Sequence, residues 1–246
     1  MRNTGRGLCV LAGMRPAAII AIAGASLLAA GCVRYERQDT SESKSVEAGD
    51  ATSAQVEIEM GAGEIRIEGA GGKLLEADFR YSVPEWKPEV RYNVSAGRGY
   101  LSIRQPSTRA FAAGNQDNRW DLRLNDHLPL DIRINLGAGE GKMKLSGMAL
   151  RRLDVDIGAG ALQLDLTGPW DQDLEGHVRG GVGETTLKLP REAGVRVEAH
   201  AGLGGIKVEG LEQTNGYYVN SAYGKSRSRL RLYVNGGIGQ INLLGS

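Results

Sequence analysis

LDVDIGAGALQLDL, residues 153–166, is the stretch of sequence that decides the fold. On both sides of its G-A-G, apolar residues alternate strictly with polar ones, which predicts two half-buried β-strands. The two strands are out of phase by one residue, because the step from the inward position of Ala159 to Leu162 is three residues. Such a slip would turn a flat strand inside out. We therefore predict that the chain bends at Gly160, since glycine adopts backbone angles that other residues avoid.

The same unit recurs along the chain, and we interpret it as the coil of a β-solenoid. G-x-G units begin at seven places, and the central ones are 21–23 residues apart: Gly61, Gly97, Gly137, Gly158, Gly181, Gly202 and Gly237. In each unit the middle residue is expected on the apolar face. No segment has the 3.6-residue period of a helix, so the chain is predicted to be all-β. Stacked coils, about seven or more, would build the continuous core that one coil cannot.

A solenoid exposes backbone at both of its ends, and these ends must be covered. The segment before residue 55 is one candidate cover. The last predicted strand, Gln240–Leu244, stops two residues before the end of the printed sequence. We therefore predict an end-to-end homodimer, or docking of a membrane protein, at that strand.

The amino-terminal 31 residues resemble a lipoprotein signal peptide. They carry three arginines and no acid, and the uncharged run over residues 17–30 is too short to span a bilayer. The run ends in Leu-Leu-Ala-Ala-Gly-Cys, which resembles the lipobox of bacterial lipoproteins and implies a diacylated Cys32 as the first mature residue. An ordinary secretory signal and an uncleaved anchor are the alternatives. Met1 and Met14 are alternative translation starts, and a start at Met14 gives a more typical signal length.

The mature chain is nearly neutral and has no thiol chemistry. Without residues 1–31 it carries 27 basic and 29 acidic residues, and Cys9 leaves with the signal. This balance favours neither a nucleic acid nor an anionic membrane surface as a partner. Residues 32–54 are charged and rich in serine and threonine, so we predict a flexible tether there. The folded domain is then expected over residues 55–246, with an amino-terminal portion at 55–108 and regular coils at 119–246.

The order of several motifs resembles the toast-rack domain of bacterial envelope proteins. They are Gly-Ala-Gly-Glu-Ile-Arg-Ile at 61–67, Trp-Asp-Leu-Arg-Leu at 120–124, Gly-Val-Gly-Glu-Thr-Thr-Leu at 181–187 and Tyr-Val-Asn-Ser-Ala-Tyr at 218–223. The resemblance covers about residues 55–246 and implies a right-handed single-stranded β-helix. Relatives of this kind belong to membrane regulators that respond to cell-wall-active antibiotics, or are described as adhesins. The resemblance supplies no catalytic residues.

Residue patterns that would indicate other chemistry are weak in this chain. A phosphate-binding G-x-G needs a following helix, whereas a strand follows each unit here. Calcium-binding nonapeptides need a carboxylate and a nine-residue period that are both missing. Acidic residues at alternate positions could pair as in a hydrolase, but they also keep a sheet face soluble: Asp154, Asp156 and Asp165. The histidines lack metal-site spacing: His127, His177 and His200. We predict no enzyme activity, cofactor or metal.

Two insertions carry the candidate binding residues, since function concentrates on loops of a rigid scaffold. One spans 105–119, with Phe111 at its centre. The other spans 211–229 and contains Tyr217, Tyr218 and Tyr223 beside Asn220 and basic residues. These tyrosines could stack on a sugar or a peptidoglycan fragment. Alternatively, Tyr218 and Tyr223 pack against the rod and Asn220 forms an inward hydrogen bond.

Together these features predict a non-enzymatic protein outside the cytoplasm, anchored to the cell membrane by lipid on Cys32. In an envelope with two membranes, Val33 after Cys32 favours the outer one. The resemblance favours envelope-stress sensing or regulation through a membrane partner. An adhesin-like or glycan-binding module is the alternative.

Overall fold

The fold is described from a computed structural model, over residues 40–106 and 117–245. In these residues thirteen strands form one mixed sheet, and Pro84–Trp86 form a turn of 3-10 helix. Seven strands are short: β1 (Thr40–Val46), β3 (Leu75–Tyr81), β4 (Glu89–Ser95), β5 (Arg98–Arg104), β6 (Asn118–Leu124), β11 (Glu212–Thr214) and β12 (Tyr217–Val219). Six are long: β2 (Ser53–Gly69), β7 (Leu130–Lys144), β8 (Leu150–Asp165), β9 (Leu174–Leu189), β10 (Gly194–Glu209) and β13 (Arg229–Gly245).

The six long strands are the rungs of a solenoid. They lie in the order β2-β7-β8-β9-β13-β10, each parallel to the next. Only residues 145–149 join the end of β7 to the start of β8. A straight 15-residue strand would be about 50 Å long, whereas five residues span less than about 20 Å. Each rung must therefore fold back on itself, and its two legs enclose the core.

The bend lies at the second glycine of each G-x-G, as predicted. In all six rungs this glycine has a φ between 128° and 145°, a conformation that other residues rarely adopt. A Cβ at Gly160 would also collide with the carbonyl oxygen of Gly139 in the neighbouring rung. The phase slip is confirmed, because Ile157 and Leu162 are both buried although they lie five positions apart.

The position predicted for the middle residue of G-x-G is wrong. Alternation along the first leg would carry it onto the apolar face, but the bend turns it outward over the corner. Val182, Leu203 and Ile238 are therefore among the most exposed large apolar side chains, at 54%, 70% and 53%. The inward face resumes only after the corner.

The unit at Gly97 is not a corner, so the count of seven G-x-G corners is wrong by one. Ala96 and Gly97 have φ values of 48° and 75° and form the two-residue turn between β4 and β5. Positive φ at both central residues is typical of a tight hairpin turn. The hairpin pairs through β5 with the first leg of β2.

The last strand in sequence is not the last rung, which corrects the predicted docking strand. β13 lies between β9 and β10 and pairs with both over nearly its whole length. The terminal rung is therefore β10. The hairpin of β11 and β12 covers only Arg196 and Val197 of its outer edge.

The other end of the rod is closed by a cap of five short strands, which pair antiparallel with one another while β5 and β6 lie parallel to β2. β5 and β4 cover the first leg of β2, and β6, β3 and β1 cover the second leg. Trp120 is fully buried beneath this cap and meets Phe79 edge to face at 5.5 Å. The predicted tether over 32–54 is wrong from residue 40 onward, because Thr40–Val46 pair with β3 and β2 begins at Ser53. The folded part thus starts earlier than the predicted residue 55.

Candidate functional site

Two of the predicted site residues, Cys32 and Phe111, lie outside the described residues, as do the signal segment and most of the 105–119 insertion. The three tyrosines of the second insertion are described. Tyr217 and Tyr218 are neighbours on β12, where successive side chains point to opposite faces. The structure therefore does not bring their two rings together on one face.

The two rings of β12 have different surroundings. Tyr217 lies against the guanidinium of Arg196, whose central carbon is 3.8 Å from the ring centroid. This cation–π contact fixes both side chains on the outer surface. Tyr218 is partly buried and packs against the core. Tyr223 is 37% exposed and lies in the turn that follows.

Asn220 anchors this insertion to the rod. Its side-chain oxygen accepts a hydrogen bond from the backbone N–H of Val195 at 3.0 Å. Its amide nitrogen donates to the carbonyl oxygens of Pro190 and Ala193, at 3.0 and 2.7 Å. Asn220 is 9% exposed. The inward hydrogen bonding of Asn220 and the packing of Tyr218 against the core are thus confirmed.

Three of the predicted acids and histidines, Asp154, Asp156 and His177, make contacts between neighbouring rungs on their outer faces. Asp154 lies 3.2 Å from Nδ1 of His177, whose ring stacks on Tyr233 at 5.0 Å between centroids. Both carboxylate oxygens of Asp156 accept hydrogen bonds from Arg179 of the next rung. Opposite charges across neighbouring strands stabilise a sheet. Over residues 40–106 and 117–245, no His, Cys, Asp or Glu side chains group as a metal site.

At the capped end, side chains form hydrogen bonds with the backbone groups at the corner of β2, the first rung. The backbone N–H of Gly61 donates to Oε1 of Gln105 at 3.1 Å, and Nδ2 of Asn118 donates to the carbonyl of Ala62 at 2.7 Å. Nearby, partial burial would raise the pKa of Glu64. Hydrogen bonds from Arg66 and Arg119, at 2.7 and 2.8 Å, outweigh this effect and hold that pKa below its usual value.

The outer edge of β10 at the opposite end is the candidate site that the sequence did not reveal. Within the described part of the chain, residues 198–209 pair with β13 on one side only. Their inward side chains are only partly buried: Ala199, Ala201, Ile206 and Val208. An uncovered strand edge with apolar side chains is a template for another strand.

An aliphatic ridge meets this edge at the corner. The middle residues of the G-x-G units stack from rung to rung. From the cap to β10 they are Ala62, Ala138, Ala159, Val182, Ile238 and Leu203. The side chains become larger toward β10, and the last three are more than half exposed. Apolar groups concentrated at one end of a surface indicate a contact there.

The sequence contained a signal for this site, but it required the rung order. The successive middle residues Val182, Leu203 and Ile238 are visible in the sequence, and alternation placed them in the core. Only the outward turn of the corner exposes them. Only the insertion of β13 between β9 and β10 makes Leu203 the end of the ridge.

One family model and one solved structure agree with this architecture. The family model described as the N-terminal domain of toast_rack, DUF2154, matches residues 35–188. A solved "putative cell adhesion protein" from Clostridium sporogenes is 33% identical, with a TM-score of 0.78 over 85% of this chain and 100% of its own. A "putative adhesin" from Bacteroides fragilis is 11% identical, with a TM-score of 0.36 over 85% and 99%. No curated protein matches the chain.

The described residues also bear on how the chain could meet a membrane. None of their helices is long and apolar enough to cross a bilayer.

Proposed function

The chain belongs to the toast-rack family, and on that premise we propose that it is a non-enzymatic, adhesin-like protein of the cell surface. Its rod would bind another surface component through the end formed by β10. The observation that carries this proposal is the contrast within the described part of the rod: one end is closed by the cap of five short strands, and the other presents an open edge beside Leu203. The 33% identity to a putative cell adhesion protein over its full length supports the same role.

We further propose that lipid on Cys32 holds the rod at the membrane. Thr40, the start of β1, follows Cys32 by eight residues, so the connection reaches at most about 30 Å. Two acyl chains give stable anchoring without a membrane-spanning helix. β1 belongs to the capped end, so the anchor would leave the β10 end free to face outward. Outside the cytoplasm, the outer membrane is favoured where two membranes exist.

Binding by cells that produce the full chain tests this role. We expect these cells to adhere to a cell surface that carries the component bound by the rod. The double substitution Ile238→Glu/Leu203→Glu should abolish this adhesion, because it places charges on the ridge near β10. The pair Ala138→Glu/Ala159→Glu, which charges the same ridge nearer the cap, is the control and should adhere normally. Equal adhesion by both double variants would contradict the proposal.

Fractionation and crosslinking in the same cells separate the other possibilities. Cys32→Ala should move the protein from the membrane fraction to the soluble one, and its persistence in the membrane would refute the anchor. Crosslinking that recovers a histidine kinase or another membrane regulator would support the envelope-stress role favoured by the resemblance.

A glycan or peptidoglycan ligand is a second candidate, favoured by the exposed ring of Tyr223 and the outward ring of Tyr217. Binding of the protein to isolated peptidoglycan, compared with the Tyr217→Ala/Tyr223→Ala variant, tests it. Unchanged binding in that variant would remove this site.

A further inference from the structure

The open edge of β10 is shaped for a partner that is bent in the same way. Its two legs meet at the Gly202–Gly204 corner, and among residues 40–106 and 117–245 no strand pairs with the outer edge of either leg beyond Val197. A straight peptide strand could pair with one leg only. We propose that the partner is a second copy of this chain, stacked end to end about a two-fold axis through the corner. The proposal deepens the adhesin-like function by naming its partner.

A two-fold axis at the corner fits the strand geometry. It places the first leg of one copy against the second leg of the other, with the strands antiparallel and the corners together. The backbone of β10 supports hydrogen bonding in this direction. At the inward residue Val195, the N–H and C=O both point away from β13 and bond with Asn220. By the alternation of a strand, the backbone groups of Ala199 and Ala201 point the same way.

The pleat and the charges select one register. Residues that are directly opposite must lie on the same face, so inward Ala199 must meet an inward residue of the second leg. If it meets Val208 of the second copy, Glu198 lies opposite Glu209, and like charges repel. If it meets Ile206 of the second copy, Glu198 lies opposite Lys207. The two-fold axis repeats this Glu–Lys pair, so the second register contains two attractive pairs.

The same register covers the most exposed apolar side chain. It places Leu203 of one copy opposite Gly202 of the other, so each leucine, 70% exposed in one chain, packs over a bare glycine corner. The two aliphatic ridges then meet at the axis. This contact accounts for the increase in side-chain size toward β10, which a solvent-facing corner does not require.

End-to-end pairing has a direct consequence for cells. The two capped ends, and with them the two copies of Thr40 at the start of β1, would point away from each other. Lipid anchors on the two copies of Cys32 would therefore sit in two opposed membranes, so the dimer would join surfaces. This consequence rests on the proposed lipid anchor, whereas pairing itself does not.

Charge reversal in the full mature protein, purified in detergent, tests the pairing. We expect light scattering to give a dimer for the wild type. Glu198→Lys and Lys207→Glu should each weaken dimerisation at least about tenfold, since each replaces both attractive pairs by repulsive ones. The double variant should restore the dimer. Lys188→Glu, an exposed reversal on the central rung β9, is the control and should leave the dimer intact.

Mixed disulfides test the register, because the described residues contain no cysteine. Glu198→Cys protein mixed with Lys207→Cys protein should form a crosslinked dimer under mild oxidation, and a mixture with Glu209→Cys protein should not. A wild-type monomer at high concentration, or single reversals that leave the dimer unchanged, would overturn the proposal. A dimer that behaves as expected in cells that fail to adhere would refute the proposed function and leave the pairing intact.

Discussion

The two ends of the rod differ in how the outer edge of the last rung is covered. At the amino-terminal end, the first rung is covered by a cap of five strands, whose outermost members, β1 and β4, are short and charged. At the other end, the outer edge of β10 is covered at Val195 by Asn220 and at Arg196 and Val197 by β12, and in the part of the chain that the structure describes no strand pairs with it beyond Val197. Short strands with lysine or arginine discourage further pairing, whereas an open apolar edge invites it.

This difference indicates that the ends have different roles. The capped end has its own core around Trp120, and the side chains of Gln105 and Asn118 form hydrogen bonds with the backbone groups at its corner. The described chain places no equivalent side chains beyond the corner of β10. Since natural proteins protect strand edges that do not bind, an edge left open next to an aliphatic ridge is best explained by a contact.

The largest expected effect contrasts the cores of the two ends. Trp120→Ala should lower the free energy of unfolding by about 3–5 kcal/mol, because it empties a fully buried site and removes the contact with Phe79. Ile206→Ala on β10 should cost about 1 kcal/mol, since this side chain is already partly exposed. Urea unfolding at low protein concentration, where the chain is monomeric, measures both. Equal costs would refute the view that only one end is closed.

A second contrast compares a central rung with the terminal one. Gly160→Ala should cost more than about 2 kcal/mol, because φ is 128° and the new Cβ would strike the carbonyl of Gly139, while β9 prevents β8 from moving. Gly204→Ala creates the same clash with Gly239, but β10 can shift toward its open side. We therefore expect a smaller loss in urea unfolding.

Gly147→Ala is the control for this second contrast. Gly147 has a φ of 73° and open space around it, so alanine there adds backbone strain of about 1 kcal/mol without a clash. A Gly160→Ala protein as stable as Gly147→Ala would show that the corners tolerate a Cβ.

Much of this architecture is predictable from the sequence, because it depends on local rules. The alternation around Gly158–Gly160 predicts two legs, and the slip to Leu162 predicts the bend. Two things depend on long-range pairing and could not be predicted. The order of the rungs is one, since β13 pairs with β9 across the 39 residues, 190–228, that separate them in the chain. The other is the outward turn at Leu203, because a corner breaks the alternation by which faces are assigned.

The candidate site and the cap likewise combine features that follow from local residue type with features that depend on long-range pairing. The inward hydrogen bonding of Asn220 was one of two interpretations that the sequence offered, because asparagine commonly bonds to backbone groups in turns. Thr40–Val46 could not be assigned to a strand, because a charged, serine-rich segment gains its order only from pairing with β3.

A third prediction tests what holds the partial cover on β10. Asn220→Ala should cost about 1–3 kcal/mol, because it leaves the N–H of Val195 and two buried carbonyls without their partner. Hydrogen exchange at Val195 should accelerate together with the loss in urea unfolding. Asn215→Gly, at an exposed turn residue with a φ of 48°, should be neutral or slightly stabilising. Unchanged protection at Val195 in Asn220→Ala would show that the hairpin is held by other contacts.

The smallest expected effect is a loss of stability at low pH. It should appear in β1 at the capped end. A hydrogen bond from the Ser43 hydroxyl, at 2.6 Å, is the main cause that lowers the pKa of Asp78, and Arg123 adds to it. A hydrogen bond from Lys44 is likewise the main cause that lowers the pKa of Glu42. A carboxyl whose pKa is lower in the folded state stabilises it above the unfolded value, about 4, and loses this contribution as the pH falls through the folded value.

β1 should therefore loosen below about pH 4, and its amide hydrogens should lose protection there after correction for the intrinsic exchange rate. The contribution of Asp78 should stay below about 1 kcal/mol, since this carboxyl is largely solvated. Ser43→Ala removes the largest cause of the lowered pKa of Asp78, so its pH dependence should be weaker than that of the wild type. If protection of β1 does not change between pH 7 and pH 3, then pairing with β3 alone closes this end, and the charged edge serves only to repel other strands.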